Sequence, residues 1–503
     1  MIACAAAAVV IAWAVYRPDR ARPFDFLDFG EFLPLVRGAS DFTSQVSSIV
    51  DYNAGQSGRA NLVQIVIAVM KWRLFGFWTP GWQLAHAAVM LVVVAQAYLL
   101  LRRLDATKLG AVIGASVFLI APAAARGFVR LTMGEPVGMI AVFAMALRAT
   151  RFQGAQRWFR EAWFFAFGTV FVLLTKEVMA PALLFPLAIA LTLQPEGGVG
   201  GPRWTSRNRV LVLMAGVAAL VTLIPLAQLY FQATTSALAS QYGRAWQSPG
   251  GVLAICIATL VPFHLVPTQT SVMWALAVGG LAFLLSTGWR HGLHDPVDRR
   301  RARWLLSGAL LFPFAGALAY APWPAYDERY AYPYLVATSL LAGMAASYLQ
   351  RASPNGTLWA AVSWGPVALF AASGAAAYAS RADAVQRASD AVVEAVASAP
   401  NIDSVVFATA WPTEPAWTGL GPTFFRLAAA TDRPWPPTRE VRCASIPRIL
   451  EASDRTAIVA FASHCGAGLR GTQSVTAVHR SGEWSRWRMA VDTVRAEIFT
   501  ARK

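Results

Sequence analysis

The chain has 503 residues, of which 56% are hydrophobic and only 14% charged. A mean hydropathy of +0.46 leaves too little polar material to cover a water-facing surface, which excludes a purely soluble protein and makes the bilayer the solvent to consider first. The net charge of +16 sits largely on arginines in short loops between apolar runs, where it orients a chain in a membrane and meets lipid phosphates, so nucleic-acid binding is a poor explanation of it.

A spanning helix needs roughly 20 mostly apolar residues. Runs of that kind are predicted near 2–16, 83–101, 109–125, 137–149, 162–175, 178–194, 209–230, 271–289, 304–320, 332–349 and 358–378, about eleven in all. The first, IACAAAAVVIAWAVY, lacks a basic segment before it and reads as an uncleaved first span rather than a secretory signal. The apolar segment 250–266 (GVLAICIATLVPFHLVP) is predicted to lie along the outer surface, since Pro262 and Pro267 suit a broken or interfacial helix. With that segment not spanning, the loops carrying Arg102, Arg103 and Lys108, then Arg148, Arg151, Arg157 and Arg160, then Arg203 and Arg207, then Arg290, Arg299, Arg300, Arg301 and Arg303 all face the cytoplasm.

This topology divides the chain into a membrane domain, 1–378, and a C-terminal extracytoplasmic domain, 379–503. The membrane domain carries a long first outer loop, 17–82. Within that loop NLVQIVIAVMKW is apolar but too short to span, and it ends in Lys71, Trp72 and Arg73, as an interfacial helix would. The C-terminal domain opens on a helical pattern, ADAVQRASDAVVEAVASA. A strand SVVFATA, a Pro/Trp-rich stretch, a helix near 445–453, a strand TAIVAFA and strand-like runs near 473–478 and 485–490 follow, giving a small α/β or α+β unit. Cys4 and Cys256 lie in apolar runs; Cys443 and Cys465 lie in the outer domain, where an oxidising compartment would let them pair as a disulfide or leave two free thiols.

Ionisable groups near membrane depth are costly, which makes them candidates for function. Four clusters fall on the outer side. PFDFLDFGEF carries Asp25, Asp28 and Glu31, spaced so that a helix would bring them to one face. A carboxylate there could take a proton from an acceptor hydroxyl, or could merely solvate a loop beside Arg17, Arg20 and Arg22. RLTMGEPVG places Glu135 before a proline, either as a reactive acid or as an ordinary helix N-terminus. LLTKEVMAPALLFP holds Lys176 and Glu177 in a tight hairpin, where a lysine is placed to bind a lipid-linked phosphate. YDERYAYPYL sets Arg329 among Tyr326, Tyr330, Tyr332 and Tyr334, an interfacial aromatic belt or a phosphate and sugar site. His291, His294 and Asp295 resemble a metal cluster only on paper, in a cytoplasmic arginine-rich loop. There is no phosphate-binding glycine loop, dinucleotide fingerprint, zinc-protease motif or nucleophile elbow.

Taken together and in order, these clusters resemble the GT-C superfamily of polytopic glycosyltransferases, most closely its protein O-mannosyltransferase-like branch. The acidic first loop is matched by DFLDFGEF, with Asp28 first, Asp25 second and Glu31 last as the catalytic carboxylate. GWQLAHAAVMLVVVAQAYLLLRRL is similar to the family's stretch with a retained histidine, here His86; TMGEPVG maps the second acid onto Glu135; the hairpin gives Lys176, Glu177 and Pro181; and DERYAYP gives Arg329, Tyr330 and Tyr332. The match runs over roughly residues 1–350, and it departs from the family in lacking an adjacent pair of acids in the first loop and in carrying no tetratricopeptide array.

The resemblance implies transfer of a sugar, with inversion, from a polyprenyl-phosphate donor to an extracytoplasmic glycan, lipid or protein. It implies Lys176 and Arg329 on the donor phosphate, with Arg59 of the loop NAGQSGRAN beside them, in a bacterial inner membrane. Glu31, His86, Glu177, Tyr330 and Tyr332 would contact substrate. No cofactor is required, and a divalent metal held by Asp28 and Glu135 is the one the carboxylates could take. A transporter or flippase of lipid-linked glycans, or a non-catalytic envelope assembly protein, is the alternative; the first would show repeated halves with interrupted helices, which this sequence lacks.

Overall fold

The computed structural model describes residues 32–57, 59–76, 78–124, 134–150, 158–192, 206–233, 249–261, 271–296, 298–320 and 328–376, and the strands 404–409, 438–442, 456–461, 472–485 and 488–501. The chain divides into two compact units, one of Met1–Pro18 with Ala39–Ala376 and one of Asp19–Gly38 with Ala377–Lys503.

Helices stand at every predicted span that falls among the described residues. They are preceded by α1 (Leu33–Gly38), which belongs to the second unit, and by the pair α2 (Phe42–Ser57) and α3 (Leu62–Phe75). Asp41 caps α2, accepting from the Ser44 amide at 2.9 Å. Arg73 at the end of α3 donates to the Gln45 side chain at 2.8 Å and to the Ser40 carbonyl at 3.1 Å, which locks the two helices as an antiparallel hairpin. At 14 residues α3 is about 21 Å long, short of a bilayer crossing, as the sequence suggested.

The bundle then runs α4 (Thr79–Arg103), α5 (Lys108–Ile120), α6 (Glu135–Ala149), α7 (Trp158–Thr175), a 3-10 turn (Glu177–Leu183), α8 (Leu184–Thr192), α9 (Ser206–Ala233), α10 (Pro249–Leu260), α11 (Ser271–His294), α12 (Arg299–Tyr320), a second 3-10 turn (Glu328–Tyr334), α13 (Leu335–Ala352) and α14 (Gly356–Ala376). Among the described residues four helices are both long and apolar enough to cross a membrane, Pro80–Arg103, Arg209–Gln228, Val272–His294 and Gly356–Ala376. The run predicted as one span from 178 begins instead as a 3-10 turn, because Pro181 inside it has no amide to donate. α10 stops at Leu260, just before Pro262, and its 12 residues reach only about 18 Å.

α13 is the centre of the bundle: every residue from Leu335 to Leu349 is buried. α5 lies against it through small residues. A Cβ on Gly110 would run into the Gly343 carbonyl, and one on Gly114 would fall 2.5 Å from the Ser339 carbonyl, so the two backbones approach as only glycine permits. Hydroxyls fill the polar needs of this interface, Ser347 donating to the Gly343 carbonyl at 2.7 Å and Thr338 to the Thr259 carbonyl of α10 at 2.6 Å.

One end of the bundle is laced by arginines. Arg103 donates to the Leu147 carbonyl at 3.1 Å, Arg148 makes a two-pronged pair with Glu161 with one bond of 2.6 Å, Arg301 pairs with Asp105, and Arg351 reaches Asp298 at 2.8 Å and the Asp105 carbonyl at 3.0 Å. The predicted cytoplasmic loops of α4, α6, α7, α12 and α13 thus meet at the same end.

In the second unit, β1 (Ser404–Thr409) pairs in parallel with β2 (Thr438–Arg442) and β3 (Thr456–Phe461), and β3 is extended antiparallel by β5 (Arg488–Ala501) and β4 (Thr472–Ser485), in the order β2-β1-β3-β5-β4. The short apolar runs of β1 and β3 suit the parallel core of a sheet. The run predicted as a strand over 485–490 takes in the last residue of β4 and the first residues of β5. The predicted helices at 382–399 and 445–453 lie outside the described residues.

Candidate active site

Glu135 opens α6, followed by Pro136, whose missing amide costs nothing in a first turn and whose neighbour's carboxylate suits the positive helix end. Its side chain is fully buried, and Lys176, between α7 and the first 3-10 turn, reaches over to ion-pair with its Oε1. The other oxygen, Oε2, has no hydrogen-bond partner among the described residues. Lys176 is in extended backbone (φ −165°, ψ 121°), so successive side chains diverge. Lys176 turns inward to Glu135, and Glu177 turns to the first loop, where its Oε1 lies 3.1 Å from Arg59 Nε.

The two pairs differ in setting. Arg59 and Glu177 keep 21% and 25% of their side chains exposed, whereas Lys176 and Glu135 keep 9% and 0%. A buried pair is held because either charge alone would be costly to strand, while a partly exposed pair exchanges partners at small cost. Two cations facing two carboxylates leave the described site neutral, and only the outer pair can open readily to an incoming anion.

α6 and α7 fix where this site lies. Their far ends are clamped by Arg148 and Glu161, and their near ends by Glu135 and Lys176. Glu135 and Arg148 are 13 residues apart on α6, so about 20 Å of helix separates the two clamps, and the site is at the end of the bundle opposite the arginine network. The first outer loop comes to the same end: a Cβ on Gly134 would fall 3.0 Å from the Gln64 side-chain oxygen of α3 and 3.0 Å from Thr175 Cγ2 of α7. The two 3-10 turns are joined as well, Tyr334 donating from its hydroxyl to the Val178 carbonyl at 3.3 Å.

Other predicted residues fall as follows. Asp25, Asp28 and Glu31 lie outside the described residues, as do Cys443 and Cys465. Arg329 and Tyr330 stand in the second 3-10 turn, where the backbone brings them to the site end. Tyr332 is fully buried, with its hydroxyl donating to Met90 Sδ at 3.2 Å and its ring edge-on to Phe118 at 5.8 Å, a packed core position rather than an interfacial belt. His86 is likewise buried, on α4. His291 and His294 lie on α11, and among the described residues no group of three or more His, Cys, Asp or Glu comes together to hold a metal.

Two residues not singled out from the sequence, Asn61 and Gln64, and one expected at the headgroups, Lys71, stand on α3 or at its start. Asn61 and Gln64 open α3, and Lys71 near its other end is buried against the indole of Trp82, 5.9 Å from the ring centroid. Burial pushes the Lys71 ammonium down to about 8. Asn61, in a left-handed conformation, was readable only as part of a loop; Lys71 looked like a headgroup contact because its apolar neighbours ended in Trp72 and Arg73.

Helices of this length and composition, with charges gathered at their two ends, define a multi-pass membrane protein, and its fold is similar to that of a solved membrane protein. The chain is similar to ArnT from Cupriavidus metallidurans: to its structure bound to undecaprenyl phosphate at 14% identity and a TM-score of 0.53, covering 98% of this chain and 97% of that one, and to its apo structure at 13% identity and 0.52, with the same coverage. That likeness is one of fold and does not single out the O-mannosyltransferase-like branch. No family model and no curated protein matches the sequence.

Proposed function

We propose that the chain is an inverting glycosyltransferase that takes a sugar from a polyprenyl-phosphate donor, on the extracytoplasmic side of a bacterial inner membrane, with about eleven spans and a C-terminal outer domain. The observation that carries this reading is the pairing of Lys176 with buried Glu135 beside Arg59 with Glu177, at the end of the bundle opposite the arginine network. The arginine-rich end belongs in the cytoplasm by the positive-inside rule, which leaves this site outside. The ArnT structure of the same fold binds undecaprenyl phosphate, a ligand of the chemistry these cations suit.

In the proposed reaction Asp28, or Asp25 in its place, removes the proton of the acceptor hydroxyl. The acceptor oxygen bonds to the anomeric carbon from the face opposite the phosphate, the bond from that carbon to the phosphate oxygen breaks, and the electron pair leaves with the polyprenyl phosphate. Arg59, Lys176 and Arg329 steady that leaving anion, which needs no metal to depart. Glu177 and Glu135 hold the cations in place until the phosphate arrives; Glu31 and Tyr330 shape the sugar side, with buried Tyr332 and His86 packed behind it. The acceptor is a glycan, a lipid or a protein.

The test is transfer of radiolabel from polyprenyl-phosphate sugars by the purified chain in proteoliposomes. Wild type transfers label, and Asp28→Asn loses at least about a hundredfold in rate, the scale of a lost general base. Transfer undiminished in both Asp28→Asn and Asp25→Asn would refute the assignment.

A further inference from the structure

Asn61 precedes α3 with φ 39° and ψ 38°, a left-handed conformation that a residue with a side chain seldom adopts. An asparagine at this position ordinarily turns its Oδ1 onto the amides of the helix it starts, but here the side chain makes no such capping bond. Its Oδ1 is nonetheless buried, with no hydrogen-bond partner among the described residues. Glu135 shows the same thing independently: a fully buried side chain in which Oε1 is taken by Lys176 and Oε2 is left over. Buried acceptors are nearly always satisfied, so two leftover ones call for a donor that arrives from elsewhere.

The two groups stand on neighbouring pieces of one site. Gln64, one turn along α3 from Asn61, presses on Gly134, the residue before Glu135. Arg59, two residues before Asn61, engages Glu177. A phosphate has no hydrogen to give these oxygens; a sugar hydroxyl does. Cations and bare acceptors on these adjoining segments therefore match the two halves of one molecule, the phosphate and the ring of a glycosyl phosphate. We infer that Asn61 Oδ1 and Glu135 Oε2 are a hydroxyl-binding subsite for the sugar of the lipid-linked donor, an inference that rests on the transferase reading above and adds to it the recognition of the sugar.

The test uses the full chain in lipid nanodiscs with EDTA present, and compares its affinity for undecaprenyl phosphate with that for undecaprenyl phosphates bearing glucose, mannose or arabinose. Wild type should hold at least one sugar-bearing lipid more tightly than the bare one. Asn61→Gly removes the amide while suiting the left-handed backbone, so its melting temperature should hold or rise, which separates recognition from folding. In that variant the bare lipid should bind as before and the preferred sugar lipid about tenfold more weakly, as for one lost hydrogen bond to substrate. An unchanged sugar-lipid affinity in Asn61→Gly overturns the subsite, as does a wild type that binds the bare lipid with no preference for any sugar. A wild type that binds neither kind of lipid overturns the transferase reading instead.

Discussion

Arg59 Nε stands 3.1 Å from Glu177 Oε1, and this contact ties the first outer loop to the hairpin that carries Lys176. Because about a quarter of each side chain is exposed, the pair adds little to stability, and its use is to hold a guanidinium where an anion can take it over. Glu177→Gln is therefore expected to change the unfolding free energy by less than about 1 kcal/mol. It should also strengthen undecaprenyl phosphate binding and its salt dependence, since the site then carries a net positive charge. Denaturant melts and binding isotherms at two ionic strengths check both.

The inner pair behaves oppositely. Glu135→Ala strands the buried Lys176 ammonium and should cost about 3–5 kcal/mol. The double variant Glu135→Leu with Lys176→Met removes both charges and should recover most of that stability while remaining inactive. Thermal melts in detergent, paired with the transfer assay, separate the structural and chemical roles.

Lys71 gives a pH signature. Its folded-state value near 8 lies below the ordinary lysine value of about 10.4, so between them the unfolded chain binds the extra proton and stability rises with pH. The gain should be on the order of 3 kcal/mol between pH 8 and 10.5 for that shift. Lys71→Met should abolish the rise, as read from melts across that range.

The close approach of α5 to α13 is tested by Gly114→Val. Its added atoms would meet the Ser339 carbonyl at about the 2.5 Å at which a bare Cβ falls, and the backbones must part. A loss of about 1–3 kcal/mol or more is expected, whereas Gly216→Ala, at a position with open space around it, should be neutral or slightly stabilising. Melting temperatures of the two variants check the contrast.

Much of this was legible in the sequence because apolar runs and arginine loops report local, one-dimensional facts: length against bilayer thickness and charge against orientation. α4, α9, α11 and α14 follow from that alone. The cations and acids of the hairpin were also visible as Lys176 and Glu177, but their partners were not. Glu135 is 41 residues from Lys176, and the pairing depends on how α6 packs on α7. Tyr332 read as an interfacial tyrosine because periodicity does not tell lipid from Met90 and Phe118. Asn61 carried no signal, since its left-handed conformation and its unspent oxygen are features of the folded chain alone.

The most direct test of the central claim is a binding measurement in which undecaprenyl phosphate is titrated against wild type, Arg59→Ala and Lys176→Met in nanodiscs. If the paired cations are the phosphate site, wild type binds and each variant loses about tenfold or more in affinity, the worth of a charge-assisted contact. Equal affinity in all three would contradict it.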